Sequence, residues 1–393
     1  MKKLLILNGS LSEATLIEEA KKLGYYTITS GNNPSLLGHA LADEYIPADY
    51  SDKEAILKIV KENNIDCIVS CANDFGVITS CYVAEKMGWP GHDTYENALI
   101  MHQKDLFKDF IQKLGLRTPV SKVFESYDEA AKYVKTVEYP IIVKANDLTG
   151  GKGILRADNE EEALFAIKNA INRSRTSRFV IEPFIVGNQQ SIVTFVKDKK
   201  VIASVTCDCF SPINPYLIQS ELLFTDTDKA VENELHESIE KICDTLDLKD
   251  GIFTLQYIVS DGKPYIIEMM RRCLGNQFLT VAHAVTGFPW EEALVKAEIG
   301  EDLSNLKWEK PLAKYAGHHG IMVRRNGKIK GYTIPEELQK HIFKKIDILK
   351  PYEEIDDYMN QRVAYIYYKY DDKQEALDTI KRMNDIIKVE FAD

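Results

Sequence analysis

The stretch from Gly251 to Asn276 reads GIFTLQYIVSDGKPYIIEMMRRCLGN, with two apolar, β-forming runs on either side of Ser260-Asp261-Gly262. A glycine-bearing break between two such runs is a strong signal for a β-hairpin. The second run carries one acid, Glu268, and is followed at once by Arg271 and Arg272. A buried carboxylate costs several kcal/mol unless a cation compensates it. The stretch therefore predicts either an ion pair between Glu268 and one arginine or a metal-bound phosphate site.

The length of the hairpin loop determines which side chains share a face. With Asp261-Gly262 as a two-residue loop, Gln256 and Glu268 would lie on opposite faces of the sheet. With Ser260 included as a third loop residue and Gly262 left-handed, both side chains lie on one face as diagonal neighbours. Two oxygen ligands at that separation can share one hard cation. We predict the three-residue loop and the shared face.

The composition is that of a globular protein. The chain has 393 residues, 45% of them hydrophobic, which is enough for two or three domains with their own cores. No run approaches the roughly 20 apolar residues of a membrane span, and the apolar start ends at Asn8, too early for a signal peptide. The net charge of −11 argues against nucleic acid as the main partner. We therefore expect neither nucleic-acid nor membrane partners.

The cysteines and histidines follow no familiar metal-binding spacing. No Cys-x-x-Cys pair occurs, and the eight histidines include the pair His318-His319 without a zinc-type His/Cys pattern. Most of the seven cysteines sit in apolar runs, which predicts buried free thiols in a reducing compartment. The predicted location is therefore the cytoplasm. The cysteines are Cys67, Cys71, Cys81, Cys207, Cys209, Cys243 and Cys273.

The first part of the chain, to about residue 90, alternates strand and helix patterns. Strands are predicted at LLILNG, YYTIT and DCIVSC, which alternate with helical patterns over Ser12–Leu23, Asp52–Glu62 and Phe75–Met87. Such alternation predicts a parallel sheet with helices on its faces. No G-x-G-x-x-G occurs, so the dinucleotide-binding fingerprint is absent.

The middle of the chain places basic residues beside predicted strands and loops. Lys104 lies near the first turn of a predicted helix, and Lys144 closes the β-branched strand that starts at Tyr139. Thr149 to Ile154 reads TGGKGI, a segment in which backbone N–H groups can approach an anion closely. It lacks the Walker spacing. We read residues 210–227 as a loop, followed by a long helix over Asp228–Leu246.

With these features together, the chain resembles members of the ATP-grasp superfamily of the carboxylate–amine ligase type. Within that superfamily it is similar to biotin carboxylase and to carbamoyl phosphate synthetase. The resemblance covers nearly the whole chain, and it rests on order and spacing rather than on one motif. Its elements are Lys104, Lys144, the glycine loop at 150–153, the segment Glu182–Ile185 and the hairpin at 256–276.

The resemblance implies a fold that combines α/β and α+β parts. We expect a Rossmann-like parallel-sheet domain at 1–100, a two-lobed ATP-binding core at 101–310 and a small α+β domain at 311–393. The mobile lid lobe of the core is expected at about 115–185. The stretch at Gln361–Ile366 followed by the helix at Asp372–Asn384 looks like the closing domain of biotin carboxylase relatives.

The resemblance also implies a role for each site residue. It implies that the phosphates of ATP contact Lys104 and Lys144, with Gly150, Gly151, Lys152 and Gly153 as the loop that closes over them. It implies adenine contacts from Glu182 and Ile185 and ribose contacts from Gln189, where many members carry Glu. It implies catalytic roles for Lys152 and for Arg272, which would stabilise an acyl phosphate.

The hairpin matches the metal-binding part of the family pattern. Gln256 and Glu268 are the implied ligands of Mg²⁺, for which Mn²⁺ is the expected substitute. Met270 stands where the family carries Asn, and a thioether is a poor partner for a hard cation. Whether one or two ions bind is therefore open, with Asn276 as an alternative ligand.

The family chemistry implies an ATP-dependent ligase that joins a small-molecule carboxylate to an amine through an acyl phosphate and releases ADP and phosphate. Two alternatives stay open: formation of carboxyphosphate or carbamoyl phosphate, and non-catalytic nucleotide binding. A homodimer is one assembly that the sequence allows. Candidates for substrate contacts, each weighed against an ordinary surface role, are Glu221, His318, His319, Arg324 and Arg325.

Overall fold

A computed structural model describes residues 1–146, 148, 153–174, 176–215 and 217–392. These residues form two compact units. The first comprises Met1–Ser204, Asp228–Phe278 and Trp290–Leu306, and the second comprises Val205–Thr227, Leu279–Pro289 and the chain from Lys307 onward. The three-domain division at 1–100, 101–310 and 311–393 stays a prediction.

A parallel sheet opens the first unit, as the alternating pattern predicted. Its elements are β1 (Lys3–Leu7), α1 (Leu11–Lys22), β2 (Tyr26–Gly31), α2 (Leu37–Leu41), β3 (Glu44–Pro47), α3 (Lys53–Glu62), β4 (Cys67–Val69), α4 (Asp74–Met87), α5 (Tyr95–His102) and α6 (Lys104–Lys113). The strand order is β3-β2-β1-β4. Ser10 and Glu13 form a capping box that begins α1 just after the first strand. The sheet therefore delivers helix N-termini at its carboxyl edge.

A small antiparallel sheet follows in the same unit. Its elements are β5 (Lys122–Phe124), α7 (Tyr127–Tyr133), β6 (Ile141–Ala145), β7 (Ile154–Ala157), α8 (Glu160–Arg173) and β8 (Phe179–Pro183), with strand order β5-β8-β6-β7. Apolar residues of α7 and α8 pack on one face of the sheet, with Ile167 and Phe179 fully buried. This packing leaves the polar end of β6, at Lys144, beside β8.

The predicted hairpin joins a third sheet. The next elements are β9 (Asn188–Lys197), β10 (Lys200–Phe210), β11 (Ser220–Phe224), α9 (Lys229–Thr245), β12 (Gly251–Ser260), β13 (Lys263–Met270), α10 (Phe278–Thr286) and α11 (Trp290–Glu298). Strand β12 lies between β13 and β9. Its odd-numbered residues, such as Phe253 and Leu255, pack in a core with α6 and α9. The even-numbered residues Thr254 and Gln256 are left on the other face.

The second unit is built on antiparallel strands. The last elements are β14 (Tyr315–Ile321), β15 (Gly327–Thr333), α12 (Glu336–Gln339), β16 (Ile342–Asp347), β17 (Glu354–Ile355), β18 (Ala364–Tyr370), α13 (Lys373–Ile386) and β19 (Lys388–Phe391). The end of β10 pairs with β11, and the order continues β11-β14-β18-β16. Helix α13 packs on one face. None of the helices in the described residues combines the length and the apolar character of a membrane span.

The prediction of a loop at 210–227 is wrong in its second half. Residues Ser220–Phe224 form β11, and every one of them is buried. A strand with Ser220 and Glu221 at its start shows no simple alternation, so its sequence resembles a polar loop. The second half of the stretch at Gln361–Ile366 lies in a strand, β18, which begins at Ala364 and runs to Tyr370.

Candidate active site

The hairpin turns through a two-residue loop. Ser260 pairs with Lys263, and both residues between them have left-handed backbone, with φ of 50° at Asp261 and 71° at Gly262. Asp-Gly at these two positions forms the tight turn whose twist matches that of the flanking strands. The prediction of a three-residue loop is therefore wrong.

A β-bulge nevertheless places the two predicted metal ligands on one face. Tyr257 pairs with Ile266, but the next pair along the ladder is Gln256 with Glu268, so Ile267 is the extra residue on β13. An inserted residue shifts the register by one and restores a shared face. Gln256 and Glu268 therefore lie directly opposite each other, rather than diagonally.

This face carries oxygen donors that suit a hard cation. Gln256 and Glu268 are half-buried, and Met270 on the same face is only 2% exposed. Among the described residues, the Glu268 carboxylate takes part in no hydrogen bond or ion pair. A partly buried carboxylate without a protein partner, opposite an amide oxygen, fits a Mg²⁺ site.

Both arginines after the hairpin pair with aspartates from elsewhere in the unit. Arg271 donates from Nε to Asp93 Oδ2 at 2.7 Å. Arg272 donates from Nε and Nη2 to the two oxygens of Asp74, at 2.6 and 2.8 Å. The alternative of an ion pair between Glu268 and one of these arginines is therefore wrong. The partners are 178 and 198 residues away in sequence, which explains why they were missed.

Asp74 is the centre of a buried polar cluster at the start of α4. Its Oδ1 also lies 2.9 Å from Nδ1 of His102. Burial alone would raise the pKa of Asp74, but the Arg272 guanidinium and the His102 ring hold it well below its usual value. Burial acts in the opposite direction on Arg272 and tends to lower its pKa. The negative charges of Asp74 and, more weakly, Glu268 raise the pKa of Arg272 above its usual value. Arg272 is therefore a permanently charged group held in a fixed orientation.

We expect Asp74→Asn to lower the free energy of unfolding by about 2 kcal/mol at neutral pH, since it removes a charge-assisted hydrogen-bond pair from Arg272. Because the folded-state pKa of Asp74 is depressed, its contribution is present above the unfolded pKa of about 3.9 and is lost as the pH falls below it. Urea unfolding of wild type and variant from pH 7 to pH 3 should show that the difference in their free energies of unfolding becomes smaller below about pH 4. Asp261→Asn, at the exposed hairpin tip, is the control. An equal gap at every pH would contradict the assignment.

A buried lysine–glutamate–lysine cluster lies where β6, β8 and α6 meet. Glu182 Oε2 is 3.1 Å from Lys108 Nζ, and Glu182 Oε1 is 3.0 Å from Lys144 Nζ. Burial lowers the pKa of Lys108 to about 8, against the opposing attraction of Glu182. Burial would raise the pKa of Glu182, but Lys144 and Lys108 together keep it below its usual value. The cluster carries one net positive charge when both lysines are protonated.

The roles of the other residues that were predicted to bind ATP stay predictions. Lys104 begins α6, as expected, and its Nζ donates to the carbonyl oxygen of Leu148. Gly153 has φ of +70°, and a Cβ there would lie 2.9 Å from side-chain atoms of Ala145 and Leu148, so a larger residue would not fit. Ile185 is half-buried after β8, and Gln189 is exposed on β9. Gly150, Gly151 and Lys152 lie outside the described residues.

Comparisons with known proteins agree with this architecture. Residues 102–213 match the family model of the phosphoribosylglycinamide synthetase ATP-grasp (A) domain. The carbamoyl phosphate synthase large chain of Clostridium perfringens is 21% identical over 291 residues, which cover 73% of this chain and 27% of that protein. The chain thus spans about a quarter of the length of this curated relative.

Two solved structures cover the whole chain. An L-amino acid ligase from Bacillus licheniformis is 17% identical, with a TM-score of 0.82 over 100% of this chain and 99% of that one. The biotin carboxylase domain dimer of Hydrogenobacter thermophilus 2-oxoglutarate carboxylase, in complex with MgADP and bicarbonate, is 19% identical. Its TM-score is 0.79 over 100% of this chain and 91% of that one. Residues 102–213 thus match an ATP-grasp domain model, and the likeness of the whole chain to these two solved structures is one of fold.

The fold brings several of the predicted residues together. Lys144, Glu182 and Glu268 are far apart in sequence, yet Lys108 experiences the charges of all three. Sequence reasoning missed Lys108, although it follows the buried Phe107 and precedes the buried Ile111 on the inner face of α6. A lysine on the buried face of a helix was the available signal.

Sequence reasoning also missed Asp74, Asp93 and His102. Asp74 follows the end of β4 directly after the Asn73 N-cap, which places it at the carboxyl edge of the parallel sheet. An acid at this position could have indicated a site residue, because ligands bind at the carboxyl edge of parallel sheets. Its pairing with Arg272 depends on the tertiary structure and has no counterpart in local sequence.

Proposed function

We propose that this chain is an ATP-dependent ligase that joins a carboxylate to an amine through an acyl phosphate. The observation that carries the proposal is the polar face of the hairpin. Gln256 and Glu268 lie opposite each other there, and Glu268 acts electrostatically on both Arg272 and Lys108. The proposal is supported by the full-length similarity in fold to the L-amino acid ligase.

The cofactors in this proposal are ATP and Mg²⁺, with Mn²⁺ as a substitute. The carboxylate of Glu268 and the amide oxygen of Gln256 would hold Mg²⁺, which supplies charge neutralisation for the phosphates of ATP. The sulfur of Met270, buried on the same face, is a poor ligand for this cation. Asn276, with left-handed backbone at φ of 59°, is an alternative oxygen donor.

The residues of the chain would act mainly by binding and orientation. Lys104 and Lys144 would contact the phosphates, and a carboxylate oxygen of the substrate would attack the γ-phosphorus while ADP leaves. An amine would then attack the acyl carbon and release phosphate. Asp74 accepts from Nε and Nη2 of Arg272, and the carbonyl oxygen of Cys273 accepts from Nη1 at 3.0 Å, so the second hydrogens of Nη1 and Nη2 would be the ones to stabilise the acyl phosphate.

A second candidate function is the formation of carboxyphosphate or carbamoyl phosphate. It is favoured by the curated relative, a carbamoyl phosphate synthase large chain that matches 73% of this chain. In that reaction bicarbonate or carbamate would take the place of the organic carboxylate. Non-catalytic nucleotide binding is the third candidate, and it is favoured by Met270 in the place of a hard ligand.

ADP release measured with ATP and Mg²⁺ tests these candidates together. The ligase proposal expects ADP to form only when a carboxylate and an amine from a substrate panel are both present, with an amide as product. ADP release that needs bicarbonate and no organic acid would support the second candidate. If ATP binds and no pair in broad pools of acids and amines gives ADP, the ligase proposal is rejected in favour of the third.

The proposed function also suggests an assembly and a cellular location for this chain. We propose a homodimer in the cytoplasm, in line with the dimer of the similar biotin carboxylase domain. Small-molecule carboxylates and amines are the proposed partners. Sedimentation of the full chain would measure its assembly directly.

We expect Lys144→Ala to raise the dissociation constant for ATP by about tenfold or more, because one charge-assisted hydrogen bond contributes about 1.5–3 kcal/mol. Glu182 would keep Lys108 as its partner in this variant, so the fold should survive. Calorimetric titration with ATP and Mg²⁺ measures the effect. Lys132→Ala, exposed on α7 of the same sheet region, should bind ATP like wild type. Unchanged affinity in Lys144→Ala would remove that lysine from the nucleotide site.

A further inference from the structure

A second polar cluster lies wholly within the second unit and is not used by the proposed ligase chemistry. Cys207 and Cys209 are two residues apart on β10, so their side chains share a face. Cys209 pairs with Glu221 on β11, and Glu221 pairs with His318 on β14. Sheet register therefore brings two thiols, a carboxylate and an imidazole together on one face of three neighbouring strands.

Three of these groups are close enough to share one ion, and the fourth, His318, lies beside the carboxylate. The sulfur atoms of Cys207 and Cys209 and a carboxylate oxygen of Glu221 all lie within 4.8 Å of one another. The two sulfur atoms are 4.0 Å apart. Glu221 Oε2 lies 3.3 Å from His318 Nδ1.

These separations match the edges of a tetrahedral zinc site. Two thiolates bound to Zn²⁺ at about 2.3 Å in tetrahedral geometry lie about 3.8 Å apart. An oxygen and a nitrogen ligand at about 2.0–2.1 Å lie about 3.3 Å apart. The distances of 4.0 Å and 3.3 Å are therefore close to those of a bound state for these two pairs, and the His318 ring would move toward the sulfur atoms to complete the site.

The surroundings are those of a largely closed site, in which Cys209 alone of the four side chains is half-buried. Cys207 and His318 are fully buried, and Glu221 is 1% exposed. The ring of Tyr367, also fully buried, lies beside His318 with a centroid distance of 6.3 Å. Glu221 Oε2 accepts no hydrogen bond within the described residues, although it is buried. A buried carboxylate oxygen is costly unless a cation compensates it.

We propose that Cys207, Cys209, Glu221 and His318 bind a Zn²⁺ ion. The two thiolates select a borderline-soft divalent ion over Mg²⁺, and four protein ligands without an open position are typical of a structural site. The site is separate in ligand chemistry from the oxygen donors of Gln256 and Glu268. It stabilises the β10–β11–β14 part of the second unit. The sequence conceals it because the spacing is Cys-x-Cys and the other ligands come from two further strands.

The decisive experiment is metal binding to the full chain. Purified protein, stripped with a chelator and titrated with Zn²⁺ or Co²⁺, should bind one ion with a thiolate-to-cobalt charge-transfer band. X-ray absorption of the zinc-loaded wild type should show two sulfur atoms at about 2.3 Å and two lighter ligands at about 2.0–2.1 Å. A shell without sulfur, as the Gln256–Glu268 face would produce, overturns the proposal. Failure of wild type to bind one equivalent also overturns it.

Variants then identify the ligands. The double variant Cys207→Ser with Cys209→Ser should bind Zn²⁺ at least about 100-fold more weakly, since even outer partners of metal ligands are worth about 10- to 100-fold. Cys243→Ser, a buried cysteine of the first unit, is the matched control and should keep wild-type affinity. Glu268→Gln should also keep it, which separates this site from the proposed function. Equal affinity in wild type and the double variant contradicts the proposal, and the absorption measurement on wild type does not depend on whether the variants fold.

Discussion

Glu268→Gln is expected to slow ADP formation by about 100-fold or more while leaving the fold intact. The substitution keeps the size of the side chain and removes the negative charge, and metal coordination in such sites is worth several kcal/mol of transition-state stabilisation. Glu268 has no ion pair or hydrogen bond with the other described residues. The variant therefore leaves no protein partner uncompensated, and the free energy of unfolding should change by less than about 1 kcal/mol.

The control for this variant lies on the same hairpin. Asp261→Asn makes the same carboxylate-to-amide change at the exposed tip, where asparagine tolerates the left-handed backbone. Its rate should stay within about twofold of wild type, since surface changes are usually within about 0.5 kcal/mol. Measurement at increasing Mg²⁺ adds a second readout, because a lost ligand raises the metal concentration needed for half-maximal rate. A fully active Glu268→Gln would place the metal elsewhere.

Glu182→Gln is expected to lower the free energy of unfolding by about 3–5 kcal/mol. Glu182 is 1% exposed, and it is the shared counter-ion of Lys108 and Lys144. Removing one partner of a buried ion pair leaves an uncompensated charge, and such changes typically cost this much. Lys108, with a side chain only 2% exposed, cannot turn to solvent without disturbing the core around Phe107.

A double-variant cycle separates this charge effect from loss of packing. Lys108→Met alone should cost less than Glu182→Gln, because Glu182 keeps Lys144 as its partner. Lys108→Met combined with Glu182→Gln should recover part of the lost stability, since one of the two uncompensated ammonium groups is gone and only that of Lys144 is left. Urea unfolding measures all three, with the exposed Glu161→Gln on α8 as the control. Strictly additive effects would show that the two side chains do not interact.

The secondary structure that depends on local sequence patterns was predictable from the sequence. Alternation along the first part of the chain predicted the parallel sheet, and the two apolar runs around Asp261-Gly262 predicted the hairpin of β12 and β13. Lys104 was expected near the start of a helix and is the first residue of α6. These features depend on neighbours within a few residues, which is the range over which periodicity and turn chemistry act.

The shared face of Gln256 and Glu268 was predicted correctly for the wrong reason. Loop length was expected to set the register, but the loop has two residues, and the bulge at Ile267 corrects the face. A bulge depends on how the strand packs and twists against its neighbours, and no residue in PYIIEMM marks its position. The pairing register of β12 and β13 beyond the turn therefore depends on the tertiary structure and could not be predicted from the sequence.

Long-range charge pairing was likewise beyond the sequence. The sequence alone determined that two lysines, a glycine-rich segment and a hairpin with an acid in its second apolar run follow one another in an order typical of one fold. Only the tertiary structure decided that Asp74 rather than Glu268 pairs with Arg272, and that Lys108 joins Glu182. The reason is physical: local propensity acts along the chain, whereas a buried charge is compensated by whichever partner the packed fold brings within reach.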